Sequence, residues 1–452
     1  MTAAILVKRG AKPKESIDSM WDQLSFVIKR LHERLWIKPL GICVLSIIAV
    51  YLASLLDMTD LGRFLPEFSK ESTEALLKIM ASSMLVMATF SVGSMVSAYT
   101  SASSSATPRS FPLIIADDVS QNALSVFIGA FIYSVVAIVA LMNGHFEGKA
   151  SLFVLFVLTT TVFAIVILSF IWWVDSIARL GRLGYTIDKV EAAAKAAIQK
   201  RKSSPRLGGI AVFDPPKGSQ PVYGDSIGYV QRINTVALQE QADQSQLKVL
   251  VTALPGTFCM PGRPVAWIVS DTSESVSSEE LNAVSAAFVI GDARVFDEDP
   301  RFGLIVLSEI ASRALSPAVN DPGTAIDVTH TQLRLFLAWH ECGEEQQDKD
   351  PEVQFDRVAV PELSMADMFD DAFAAIARDG AGTVEVIVRL LKVLQSLTTT
   401  GNPSIRAAAV AQAEIVLARA EKALTLPHDL ATAQKAAAFI AAPESAPSAV
   451  LA

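Results

Sequence analysis

Cysteine is scarce in this 452-residue chain: Cys43, Cys259 and Cys342. No CxxC pair occurs, so neither a disulfide framework nor a zinc knuckle is expected. Histidine is scarce too, with five scattered copies. HExxH, GxSxG, the Walker A motif and the nucleotide-binding GxGxxG are all missing. No nucleophile sits at a readable spacing from a base. No catalytic residue, cofactor-binding residue or metal ligand is therefore assigned, and no cofactor is expected. A basic excess is also missing: Lys and Arg total 38 against 47 Asp and Glu, for a net charge of −9. Nucleic-acid binding needs a basic footprint, so nucleic acid is not an expected partner.

Charge is missing from a third place, the middle of four long apolar runs at residues 40–56, 79–98, 123–142 and 152–174. Carriers coupled to protons or ions place an ionisable group there, so that class loses ground. The chain is 51% hydrophobic with a mean hydropathy of +0.39, and the runs concentrate the apolar excess in its first third. Each is at or near the roughly 20 residues that cross a hydrocarbon core of about 30 Å. They predict an integral membrane protein with the lipid bilayer as its first partner. No cleavable leader is read, so residues 40–56 are expected to stay as an anchor. Lys29, Arg30, Arg34 and Lys38 precede the first run, whereas residues 57–78 hold five acidic and three basic side chains. The positive-inside rule then places the N-terminus in the cytoplasm, and four spans return the C-terminus there. Arg179, Arg182 and Lys189 agree with that orientation.

The expected organisation is a cytoplasmic amphipathic segment (1–38), a four-span domain (39–174) and a connecting helix (175–202). A β-rich module (203–272), a helical segment (273–342), an α-rich C-terminal domain (343–435) and a flexible tail (436–452) follow. Ile17, Trp21, Leu24, Val27, Ile28, Leu31 and Leu35 recur at helical spacing and read as an interfacial helix. An ordinary helix packed on the soluble domain is the plainer alternative. Trp36, Trp172 and Trp173 fit aromatic belts.

The second run is unusual in carrying Ser82, Ser83, Thr89, Ser91, Gly93, Ser94 and Ser97. On a helical wheel Ser83, Met87, Ser94, Ser97 and Ser101 share one side, with Ser91 at its edge. Such a stripe serves close helix packing or lines a water-filled path in an oligomer. Pro108 and Pro112 then break the helix. Asp118-Val-Ser-Gln121 has capping-box spacing. Arg109, Asp117 and Asp118 either form a charged cytoplasmic mouth or cap a helix and anchor a loop.

In the soluble part, β-type runs at 210–213, 222–234, 247–253 and 265–269 alternate with Pro/Gly turns and predict a small β-barrel or sandwich. Helices are expected at 279–290, 302–315, 324–342, 365–378, 383–397 and 404–424, and a strand at 353–360. In Asn320-Asp321-Pro322, Asp321 suits a helix N-cap and Pro322 the first helical position. Asp327, His330 and Arg334 share a helical face, but a metal would need further ligands from elsewhere.

Three segments together carry a resemblance. They are Ala106-Thr-Pro-Arg-Ser-Phe-Pro-Leu-Ile-Ile-Ala-Asp-Asp118, Gly228-Tyr-Val-Gln-Arg-Ile-Asn234, and Asp299-Pro-Arg-Phe-Gly303 leading to Ala314-Leu-Ser-Pro-Ala-Val-Asn-Asp-Pro322. In this order the chain resembles a bacterial membrane-protein family, domain of unknown function 2254, over roughly residues 30–425. The resemblance implies a bacterial inner-membrane location and brings no catalytic residues with it. Where relatives carry a phenylalanine this chain has Gly323, and where they carry a His pair it has Asp175-Ser176. The expected fold is an α-helical membrane domain of four transmembrane helices, followed by a cytoplasmic α+β region. That region joins a small β-barrel or sandwich module to an α-rich C-terminal domain. The leading functional expectation is a homo-oligomeric channel or transport-like protein with a cytoplasmic regulatory domain. A membrane-anchored sensor or scaffold with an unidentified cytoplasmic partner is the second, and a membrane-bound enzyme the third.

Overall fold

The computed structural model describes residues 37–54, 66, 68–115, 118–270, 276–344 and 353–441. The interfacial helix expected at 17–35, Trp36 and the tail beyond residue 441 lie outside these. The chain divides into two compact units, Met1–Thr186 and Ile187–Ala452. It is mostly helical with a small sheet region.

In the first unit, α1 (Ile37–Ser54), α2 (Lys70–Ser105), α4 (Asp118–Met142) and α5 (Lys149–Leu180) are long and apolar, and a short α3 (Phe111–Ile115) lies between α2 and α4. Three stretches among the described residues, Lys70–Ser103, Val119–Met142 and Lys149–Leu180, are long and apolar enough to cross a membrane. The fourth expected span falls on α1, whose 18 residues reach about 27 Å at 1.5 Å each.

α4 is the most enclosed of the three. Of its apolar window 44% is buried, against 28% for α2 and 17% for α5. Its sequence explains this. Ala123, Ala130 and Ala137 recur every seven residues, interleaved with Phe127, Ser134 and Leu141, and all six are buried. A seven-residue repeat keeps one seam facing its neighbours, and alanines on it let backbones approach closely. α2 answers with buried Leu77, Met80, Met84, Ser91 and Met95. Tyr133 Oη lies 2.9 Å from Thr159 Oγ1, a buried link between α4 and α5, while Thr159 also donates to Leu155 O at 2.7 Å. Trp173 departs from its expected place in an aromatic belt. It is buried among Phe90, Phe127 and Phe170, with ring centroids 5.9, 6.2 and 6.1 Å away. Trp172 is exposed.

Past α5, the connecting helix expected over 175–202 is interrupted. α5 runs on to Leu180, Gly181 closes it, and α6 (Leu183–Ser203) starts afresh.

In the second unit one sheet has five strands. These are β1 (Gly209–Ile210), β2 (Gln220–Val222), β4 (Leu247–Val251), β6 (Ala266–Ser270) and β8 (Phe355–Ala359), in the order β1-β8-β4-β6-β2. The pairs β1–β8 and β8–β4 are parallel; β4–β6 and β6–β2 are antiparallel. The other sheet is antiparallel, with β5 (Phe258–Cys259), β3 (Gly228–Ile233) and β7 (Phe288–Gly291) in the order β5-β3-β7. Val222, Val230, Leu238, Val249, Ile268, Phe288 and Val358 form one core beneath both. Two sheets over one core thus stand where the sequence reads as a barrel or sandwich, and the described strands form no closed barrel. The five-stranded one takes β8 from far along the chain, from the stretch read as part of the α-rich C-terminal domain.

Two helices flank these strands, α7 (Thr235–Ser245) and α8 (Ser278–Ala286). A helical layer follows, of α9 (Pro300–Ala314), α10 (Pro322–Glu344), α11 (Met365–Asp379), α12 (Val384–Thr398), α13 (Pro403–Ala423) and α14 (Pro427–Ala436). Phe336 of α10 packs on Phe369 and Phe373 of α11, with ring centroids 4.3 and 5.7 Å apart.

Candidate functional site

The residues singled out in α2 do not share one environment. Ser83, Ser97 and Ser101 are exposed, Met87 and Ser94 are half-buried, and Ser91 is fully buried. The buried seam of α2 packs within the first unit, and Ser83 and Ser97 are exposed among the described residues. Beside them Leu85, Val86, Thr89, Phe90, Gly93, Ser94 and Ser97 form one shallow, open face of the helix. A Cβ added at Gly93 would meet open space. Three hydroxyls of the helix bond back to it, whereas the buried Ser91 Oγ has no hydrogen-bond partner among the described residues. Ser82 donates to Lys78 O at 3.0 Å, Thr89 to Leu85 O at 2.9 Å and Thr100 to Val96 O at 2.9 Å. Ser101 Oγ reaches the carbonyl of Gly181 at 3.4 Å.

The break after α2 is where the prolines put it. Pro108 opens a single 3-10 turn and Ser110 Oγ donates to Thr107 O at 2.8 Å. Ile114 of α3 packs with Ala102 and Leu180. Arg109 is exposed on that turn. Asp117 lies outside the described residues; Asp118 is the first residue of α4. Gln121 is buried, and its amide donates to Ile115 O at 2.8 Å. It ties α3 to α4, a role the capping-box spacing does not announce. Asp175 pairs with Arg179 at 3.0 Å on the surface of α5.

In the second unit the two other motif segments converge on a buried ion network. Asp299 is 2% exposed and caps α9, accepting from Phe302 N at 3.2 Å while Arg294 holds its Oδ2 at 2.7 Å. Burial pushes its carboxyl above the usual range, against the pull of Arg294. Next to it, Glu298 receives Lys200 at 3.1 Å and Arg232 at 3.6 Å. Arg201 is 3% exposed and donates to Glu298 O at 3.3 Å. Burial lowers its guanidinium's proton affinity, with Glu298 and Asp299 opposing. Arg301 reaches across to Asp371 and Asp367 of α11. Burial raises Asp371 despite that partner. At Gly303 a Cβ would overlap the Cβ of Ala194, so α6 and α9 cross where only hydrogen fits. Glu191 accepts both arms of Arg334, at 2.7 and 2.6 Å. The network clamps the described length of α6 from residue 187 into its unit. Its charges are paired largely within the unit, although Arg201 Nη1 is buried without a hydrogen-bond partner among the described residues.

Asp321 accepts from Thr324 N at 3.1 Å and Thr324 Oγ1 at 2.6 Å, and Pro322 is the first residue of α10. The bonds from Thr324 hold the Asp321 carboxyl below its usual range. Asn320 adopts φ +50°, and Asp321 N donates to Ala314 O at 2.8 Å. Gly323 is exposed on the first turn. Arg334 is committed to Glu191, so Asp327, His330 and Arg334 do not gather on one ligand. Among the described residues no cluster of three or more His, Cys, Asp or Glu is placed to hold a metal ion.

A second hollow, of about 390 Å³, opens beside Tyr223–Ile227 and Cys259–Gly262. The sequence reading passed over it, because its walls come from two loops more than thirty residues apart.

Comparison with known proteins gives a consistent picture. Uncharacterised proteins of Mycobacterium bovis and Mycobacterium tuberculosis are 29% identical over 230 residues, 50% of this chain and 44% of theirs. The chain thus spans about half the length of the curated relatives it matches. No solved structure matches. A family model described as predicted membrane protein, DUF2254, matches residues 32–396. The chain belongs to that family of predicted membrane proteins.

Proposed function

We propose that this protein is a homo-oligomeric channel or transport-like protein of the bacterial inner membrane. In this reading α1 is a fourth span, both termini are cytoplasmic, and the second unit is a cytoplasmic regulatory domain. One observation supports the proposal: the outward, open face of α2, which carries Thr89, Gly93, Ser94 and Ser97. Four helices from one chain enclose little space, so a path would have to form between copies. A glycine and serines on an apolar helix let a second backbone come close, and hydroxyls can face water at an axis.

Purified protein in liposomes tests this. Solute flux or conductance is expected, and Ser94→Trp, which puts a bulky ring on that face, should reduce it about tenfold or more. Folded oligomer that leaves liposomes silent would overturn the channel reading. The runner-up is a membrane-anchored sensor or scaffold, favoured by the clamping of α6 into the second unit through Glu298 and Glu191. It predicts silent liposomes and capture of a partner by the second unit.

A further inference from the structure

Some of the exposed apolar side chains of the second unit gather in one place. Tyr223 (48%), Ile227 (62%) and Met260 (45%) line the 390 Å³ hollow, and Phe258 (39%) of β5 is exposed next to Cys259 in sequence. Clustered apolar exposure marks a binding surface, and this volume lies in the range of small-molecule sites. The hollow is also built rather than incidental. Ser285 Oγ holds the Tyr223 carbonyl at 2.8 Å, and Val265 N holds the Val222 carbonyl at 2.8 Å. Gly228 pairs with Cys259 in the sheet. A Cβ at Gly224 would come within 2.6 Å of Ile290 Cδ1, so only glycine lets that wall lie flat. Buried Cys259 lies at its base.

The lining decides the chemistry. Tyr223 and Met260 offer polarisable faces, and Asp225 brings the lining's charge, a carboxylate exposed at the rim. Ser226 Oγ donates to Asp225 Oδ1 at 3.0 Å. Arg263 lies past the Pro261-Gly262 turn, exposed and outside the lining, although its charge reaches Cys259 as that of Asp225 does. An aromatic ring, a thioether and a carboxylate around an apolar hollow suit an ammonium group carried on an apolar body. We propose that this pocket binds a small amphiphilic organic cation. The site is independent of whether α2 lines a pore.

Cys259 serves as its own reporter. In the full-length chain with Cys43→Ser and Cys342→Ser, alkylation of Cys259 by N-ethylmaleimide is timed with and without benzyltrimethylammonium. Neopentylbenzene, the neutral molecule of the same shape, is the comparison. The ammonium should slow alkylation at least fivefold and act at about tenfold lower concentration than the neutral analogue. Asp225→Asn should erase that preference and Asp225→Glu should keep it. Ile227→Trp, which fills the mouth from an exposed position, should abolish protection by either compound. Equal protection by both compounds in the unmutated pocket, or none from the ammonium, would overturn the proposal.

Discussion

Asp321 holds its carboxylate against the first turn of α10, and its proton affinity falls in consequence. An acid whose folded pKa is depressed contributes stability above its ordinary value of 3.8, and that contribution disappears as pH drops through the lower folded value. Asp299 has the opposite sign: its folded value is raised, so its contribution is present in acid and is lost as pH climbs through that value. Asp321→Ala should cost about 1 kcal/mol at neutral pH, the usual worth of an N-cap. Thermal melting should then show a smaller loss of stability than wild type as pH falls below 3.8. Tyr133→Phe removes the α4–α5 hydroxyl pair but leaves Thr159 bonded to its own helix. The expected cost is about 0.6 kcal/mol, typical of such bonds in membranes, read from the melting midpoint of the purified protein. Asp321 and Pro322 were legible in the sequence because a cap is a local arrangement. Arg201 was not, because its partner Glu298 lies 97 residues on and only the fold brings them together.

At the scale of elements, periodicity predicted what packing then used. α11 and α12 appear close to their expected bounds because each buries one continuous apolar stripe, such as Met368, Phe369, Ala372, Phe373 and Ile376. Short elements escaped. β7 was read as the end of a helix, since the capping box at Ser277 starts a real helix that lasts only nine residues before Phe288–Gly291 turns to strand. The expected strand at 222–234 splits into β2 and β3, because Gly224 and Gly228 let the chain change sheets between them. The parallel pairing of β8 with β4 is a long-range choice that no local pattern encodes. Gly303 is the sharpest test of element packing. Gly303→Ala should destabilise by about 1–3 kcal/mol through overpacking against Ala194. Adding Ala194→Gly should recover part of that loss, measured as non-additivity in a double-mutant cycle.

For the molecule as a whole, the division of labour was visible in the sequence: apolar helices first, an acidic α+β region after. The family match over residues 32–396 covers parts of both units. The candidate site on α2 was half legible. The helical wheel located the hydroxyl stripe. Only the packed structure separates Ser91, buried in the seam, from Ser83 and Ser97, which are exposed. The central claim is that this outward face meets a second copy of the chain in the bilayer. Single cysteines on a background with Cys43, Cys259 and Cys342 replaced test it most directly, oxidised mildly in native membranes. Ser97→Cys should yield a covalent dimer in high proportion, and Val139→Cys, exposed on α4, little or none. Monomer only at Ser97, or equal dimer at both positions, would contradict it.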